Sequence, residues 1–294
     1  GAVLANRAGL FNIGQEGQLT IGVGFAVWAA ISFPGPGPVK LVAALIAGGI
    51  GGGLWAGIAA VLRYRFSVNE VIATLLFNFV AFQALNYALD RTWLLKPDDL
   101  VGALPPQSGP VGVDARLPRM DSLLGVPAHI GILLALALTA LVGFVLVRSS
   151  WGARLRLLGA SAPLAHRAGV RAWLMGGAAL MLAGAAAGVA GSVMLTGVVY
   201  RVDPGFSNNV GWTGLLVALV ARDRPAAVAP VALAFGAMQA GGNLLASTGV
   251  PRYLVDIVTA LVVLAAIFPP VLLELRERRR IHRESLAAGD AHDQ

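Results

Sequence analysis

The sequence predicts an all-α, polytopic membrane bundle of about eight transmembrane segments, and three observations carry that expectation. Only 13% of the residues are charged, where a soluble domain carries about 25%, and the mean hydropathy is +0.74. Apolar runs close to the ~20 residues that span hydrocarbon recur at 17–33, 41–62, 71–89, 129–147, 172–200, 204–221, 226–247 and 254–273. These runs are long rather than short and alternating, so they read as helices and not as strands of a closed barrel.

Composition removes several function classes. The net charge is +7, but the basic residues lie between apolar runs and do not line one face, which argues against nucleic acid as a partner. There is no cysteine, hence no disulfide, thiolate metal site or thiol nucleophile. His129, His166, His282 and His292 are scattered without ligand spacing, and no cofactor is expected. No phosphate-binding loop ending in Gly-Lys-Ser/Thr, no His-Glu-x-x-His and no triad is present, so the chain is expected not to be an enzyme. If ATP drives it, another subunit hydrolyses that ATP. The first residue is Gly1 and no signal-peptide pattern follows, which suggests that the numbering begins inside a longer precursor.

The first helix is preceded by a polar run, Arg7-Ala8-Gly9-Leu10-Phe11-Asn12-Ile13-Gly14-Gln15-Glu16-Gly17-Gln18. A charge at membrane depth costs roughly 2.5–3.5 kcal/mol on insertion scales, so such groups mark a cavity, a partner helix or a solute. Gly14 and Gly17 permit an unwound backbone, and a helix starting near Gly17 aims its free N–H groups at whatever precedes it. Asn12, Gln15 and Glu16 are the candidate pathway groups here. They suit an uncharged solute rich in hydroxyl and amide groups, and the alternative is that they cap the helix and brace a neighbour.

In the third segment, Ser67 and Glu70 have capping-box spacing. Glu70, Thr74 and Asn78 recur every four residues and share a helix face. Of the amides Asn78, Gln83 and Asn86, at least one is expected to bond across to another helix, and Asn78 is also a candidate pathway group. In the seventh, Gln239 and Asn243 are four apart and carry the same two readings.

Glycines four apart, Gly48/Gly52, Gly49/Gly53, Gly53/Gly57 and Gly184/Gly188, predict close helix packing. The segment 204–221 opens on the polar run Pro204-Gly205-Phe206-Ser207-Asn208-Asn209, so a broken or re-entrant helix is expected, with Asn208 and Asn209 as pathway candidates. Arg7–Gly14 and Arg201–Gly211 both run through Arg, Gly, Phe, Asn and Gly into an apolar helix, a weak internal echo of the kind inverted repeats leave.

Orientation follows the basic residues. With the N-terminus inside, only Lys40, Arg91, Lys96, Arg116, Arg119, Arg201 and Arg252 lie outside. Residues 1–273 then form the transmembrane domain, with an extracytoplasmic loop 90–127, a cytoplasmic loop 148–171 and a basic cytoplasmic tail 274–294 that anchors at lipid headgroups. The loop 148–171 has five arginines and no acid, and reads as a short amphipathic helix flanked by Gly159 and Gly169 that docks a cytosolic partner.

FNIGQEGQ (Phe11–Gln18), NEVIATLLFNFVA (Asn69–Ala81), RLRLLGASAPLAHRAGV (Arg154–Val170) and GWTGLLVALVARDRP (Gly211–Pro225) follow one another as in permease subunits of bacterial ABC importers. The resemblance is to the group serving branched-chain amino acids, simple sugars and nucleosides, and the first two motifs look most like the nucleoside, basic membrane lipoprotein-dependent branch. It implies a pore subunit in the bacterial cytoplasmic (inner) membrane, paired with a second, non-identical permease subunit. A cytosolic ABC ATPase and an extracytoplasmic solute-binding lipoprotein would complete the importer, with at least one further apolar helix before FNIG. By motif match, Gly159–Gly169 would be the coupling helix seated in the ATPase, with Arg156, Gly159, Ala165, His166 and Gly169 as coupling residues. The family's Asn-Pro stands here as Ser161-Ala162, with Pro163 one place later. The resemblance implies ATP-driven uptake of a neutral polar solute, a nucleoside first, whose base would stack on Phe11, Phe77 or Trp212. A sugar or branched-chain amino acid importer is the alternative within the class, and an ATP-independent carrier or channel the one outside it.

Overall fold

The computed structural model describes residues 1–97, 106–120, 128–248, 254, 257–258 and 260–265. They form helices α1 (Ala2–Arg7), α2 (Gln15–Ser32), α3 (Gly37–Phe66), α4 (Glu70–Leu89), α5 (Gly131–Arg148), α6 (Ser150–Ala160), α7 (Ala162–Arg167), α8 (Ala172–Met194, continuing as a π-turn Leu195–Val199), α9 (Val210–Val220) and α10 (Pro225–Ser247). Among the described residues the only β pairing is an isolated bridge between Arg119 and His129. Five helices, α3, α4, α5, α8 and α10, are long and apolar enough to cross a membrane. The protein is therefore an all-α, multi-pass membrane bundle. The eighth expected segment, the side chain of Asn243 and the tail lie largely or wholly outside the described residues.

The bundle is built on a glycine seam between α3 and α8. Gly48 faces Gly188 and Gly52 faces Gly184, so the two helices run antiparallel with backbones in contact. A methyl on Gly188 would fall on the Gly48 carbonyl oxygen, and α2 joins at the same point through Gly22. Ser192 Oγ donates to the Ala44 and Gly188 carbonyls at 3.2 and 2.9 Å. Such contacts replace the hydrophobic drive that lipid cannot supply.

One local expectation changes. Ser67 does not cap α4; it ends α3 in the left-handed conformation (φ 55°), and Asn69 caps α4 by accepting from Val71 N–H at 2.9 Å. Glu70 instead pairs with Arg63 at 3.2 Å. The segment 204–221 is broken, as its polar opening predicts. Only Val210–Val220 is helical, 11 residues or about 16 Å, half of a ~30 Å hydrocarbon layer.

At one end of the bundle, 106–120 is laced to the end of α8 and the residues that follow it. Leu117 N–H donates to Thr196 O, Val111 N–H to Tyr200 O and Ser108 N–H to Val202 O, and the Arg116 guanidinium lies 4.0 Å from the Tyr200 ring centre. His129 abuts Gly197 and accepts on Nδ1, at 3.1 Å, the N–H of Gly131, the first residue of α5. Burial, and then the charge of Arg119, push the His129 pKa below its ordinary 6.5. The neutral ring is therefore the folded form; its stability is complete above the ordinary value and is lost as pH falls toward the lowered one. Between about pH 7.5 and about pH 5.5 the wild type is expected to lose more thermal stability than His129→Asn, whose amide oxygen can still accept the Gly131 N–H. Equal losses in the two proteins would refute this.

Candidate functional site

The entry to α2 is a knot of short polar side chains. Residues 8–14 are non-helical, with Gly9 in the left-handed region (φ 73°) and Gly14 as N-cap. Gly14 and Gly17 let α2 lie on the backbone of α4: added methyl groups would stand 2.9 Å from Thr74 Cβ and from Asn78 Cα. Asn12 and Gln18 exchange amide hydrogen bonds at 2.9 and 3.0 Å, and Asn12 Oδ1 also accepts from Gly14 N–H. Asn78 accepts from Gly17 N–H at 2.8 Å and donates to the Ile13 carbonyl at 3.2 Å. Thr74 accepts from Ile13 N–H and donates to the Glu70 carbonyl. Thr74 and Asn78 thus bind the unwound segment, as a broken span requires, while the Glu70 side chain turns to Arg63.

Glu16 reaches the other way. Its carboxylate accepts from Ser207 Oγ and, at 2.7 Å, from Gly211 N–H in the first turn of α9. A methyl on Gly211 would lie 2.5 Å from Glu16 Cα, so only glycine admits this approach. Two helix N-termini, those of α2 and α9, therefore converge on one buried carboxylate, which opposes the positive ends of both dipoles. The two segments of the internal echo meet here.

The expected pathway residues divide into two groups. Asn12, Glu16 and Asn78 are enclosed and hydrogen-bonded to protein. Gln15 is buried next to the Gly214 notch on α9, and its Nε2 has no partner among the described residues. Asn208 and Asn209 are exposed at the start of α9 in left-handed conformations (φ 47° and 63°) that asparagine tolerates. Below them Gln239 donates to Thr213 Oγ1 at 3.2 Å, joining α10 to α9. Of the aromatic candidates, Phe77 packs on Trp55 (centroids 5.5 Å apart), Phe11 packs on a buried cluster, and half-buried Trp212 lies in the first turn of α9, three residues after Asn209. The Ser207 and Gly211 contacts to Glu16 were not foreseen; only the polarity of 204–209 pointed there.

The loop 148–171 is two helices, not one. α6 and α7 are separated at Ser161, which caps α7 by accepting from Leu164 N–H at 3.4 Å. Gly159 lies inside α6, and Gly169 (φ 75°) ends α7 as Val170 N–H returns to the Ala165 carbonyl. Ala165 is buried with Leu158 and Val170, while Arg156, Gly159, His166 and Gly169 are exposed, as is Leu164. Gly159 rests on the chain at Arg7–Gly9: a methyl there would meet Gly9 N at 2.9 Å and overlap the Arg7 carbonyl. At the foot of α9, Asn6 Nδ2 donates to the Asp223 carboxylate at 2.7 Å. Burial pushes the Asp223 carboxyl pKa up, while Asn6 and Arg7 pull it down.

One family model, described as branched-chain amino acid transport system / permease component, matches residues 1–267. The chain belongs to this permease family. It is the permease subunit of an ABC importer and not itself an enzyme. The permease is 34% identical over 265 residues to the guanosine ABC transporter permease NupP of Bacillus subtilis, covering 88% of this chain and 74% of that one. It is 31% identical over 267 residues to the glucose ABC transporter permease TsgB13 of Haloferax volcanii, covering 88% and 69%. The nucleoside ABC transporter permease NupB of Lactococcus lactis is 26% identical over 265 residues, covering 88% and 72%. No solved structure matches the permease.

Proposed function

We propose that this permease passes a nucleoside inward across the cytoplasmic membrane. One observation supports an uncharged solute above all: Glu16 already neutralises the two convergent helix N-termini that would otherwise draw an anion. What is left at the break is the unpartnered amide of Gln15, exposed Asn208 and Asn209, and Trp212 in the first turn of α9. Amides read ribose hydroxyls and base edges, and an indole offers a stacking face. Asn12, Glu16 and Asn78 belong to the pathway as the frame that holds it open. A second permease subunit covers the Asn208–Asn209 face, since exposed amides are costly against lipid. An extracytoplasmic solute-binding lipoprotein delivers the solute.

The glucose-permease relative favours one second reading, a sugar, which the same amides would bind without using Trp212. Uptake into proteoliposomes holding the whole importer separates them. ATP-dependent guanosine or adenosine uptake that falls about tenfold in Asn209→Ala and Trp212→Ala is the expected result. Glucose uptake unaffected by excess nucleoside would overturn the nucleoside assignment.

Energy enters through 150–167, where a cytosolic ATPase docks. Leu164 is apolar and exposed beside His166 and Arg167, and Arg156 and Gly159 flank it. Buried Ala165 and the turn at Gly169 fix the shape of this knob. Leu164→Glu is expected to abolish co-purification of the ATPase while leaving the permease folded, as judged by gel filtration. Undiminished ATPase binding would remove the docking assignment.

A further inference from the structure

α9 is fastened at both ends by the same short stretch of chain, residues 6–16. At its start, Glu16 takes the Gly211 N–H and the Ser207 hydroxyl. At its foot, Arg7 Nε and Nη2 donate to the Asp223 carbonyl at 3.0 and 2.8 Å, and Asn6 holds the Asp223 carboxylate. An acid therefore meets the N-terminus of α9 and a guanidinium its C-terminal side, both matched to the helix dipole. Arg222 and Asp223 keep left-handed φ angles of 53° and 52°, a turn that non-glycine residues hold only when their surroundings fix it.

Between these ends the fastening is apolar. Leu215 and Ala218 of α9 share one buried cluster with Leu4, Ala5 and Ala8, and Leu155 of α6 belongs to it too. The third contact is the Gly159–Gly9 approach, where two backbones touch without side chains between them. A displaced loop cannot be absorbed there by a side chain changing rotamer; it must move the chain that leads into residues 6–16.

We propose that residues 6–16 and α9 form one rigid transmission unit, in which Arg7 and Asn6 are positioning residues that carry movement of the cytoplasmic loop at Gly159 to the break at 207–209. The proposal rests on the reading of 150–167 as the ATPase-docking loop. It differs from that reading in what it forbids: the Asn6–Asp223 junction does not open during the transport cycle.

This sequence has no cysteine, so an N6C/D223C pair can be bridged by a short bis-thiol-reactive reagent with no competing thiol in it. In proteoliposomes holding the complete importer, the unbridged pair, which lacks the Asn6–Asp223 bond, is expected to fall below the wild type, and bridging to raise ATP-driven uptake above that of the unbridged pair. Arrest on bridging overturns the proposal, because the two residues would then have to part. In a second arm, Arg7→Gln is expected to lower uptake about tenfold while ATP hydrolysis and ATPase co-purification stay within about twofold. Parallel loss of hydrolysis and uptake, or loss of neither, overturns it as well. If Arg7→Gln assembles poorly, Arg7→Lys is read for the same split. Failure of the docking reading shows separately, as ATPase binding that survives Leu164→Glu.

Discussion

Glu16→Ala is expected to cost the importer most of its uptake and a large part of the permease's stability. The substitution strips two buried donors, Ser207 Oγ–H and Gly211 N–H, of their acceptor at once, and each buried group left unsatisfied costs about 1–3 kcal/mol. It also removes the negative charge opposite two helix N-termini, a further ~0.3–2 kcal/mol in a partly buried setting. Glu16→Gln separates these effects. Its carbonyl can accept from Gly211 while its NH2 donates to a Ser207 hydroxyl that has turned, so only the charge is lost. The expected order of melting temperatures in detergent is wild type, then Gln a little lower, then Ala far lower. Glu16→Ala melting with the wild type would show that α9 does not depend on this carboxylate.

Gly188→Ala is the second large effect. One methyl would fall on the Gly48 carbonyl at the point where α2, α3 and α8 touch, with Gly52 Cα 3.2 Å away. Neither neighbour is the free end of a flexible side chain, so three helices must shift together. Overpacking of this kind typically costs about 1–3 kcal/mol. Gly236→Ala on α10 is the control, since nothing lies within 4 Å of the added methyl there. It is expected to be neutral or slightly stabilising, because alanine is the better helix former by about 1 kcal/mol. Thermal unfolding of both variants in one detergent tests the contrast, and equal melting points would contradict the seam.

The spans and their glycine contacts were legible because hydrocarbon leaves few choices: a long apolar run must be helical, and small residues four apart must face another helix. The break before α9 was legible for the same reason, since Pro204–Asn209 could not be lipid-exposed. What stayed hidden depends on contacts between distant parts of the chain. Nothing around Glu16 names Ser207 or Gly211, 191 and 195 residues away. Capping at α4 went to Asn69 rather than Ser67 because α3 ends with Ser67 in the left-handed region, which a spacing rule does not see. The loop 148–171 divides at Ser161, where a serine and not a glycine interrupts the helix. The echo between the two helix entries was visible as residue order, yet only their meeting at Glu16 gives it a physical meaning.

The point where Gly22, Gly48 and Gly188 touch has a mechanical consequence. Backbones in direct contact resist sliding past one another but permit a small rotation, as the two blades of scissors do about their rivet. A tilt of α2 about that contact would carry its two ends in opposite directions.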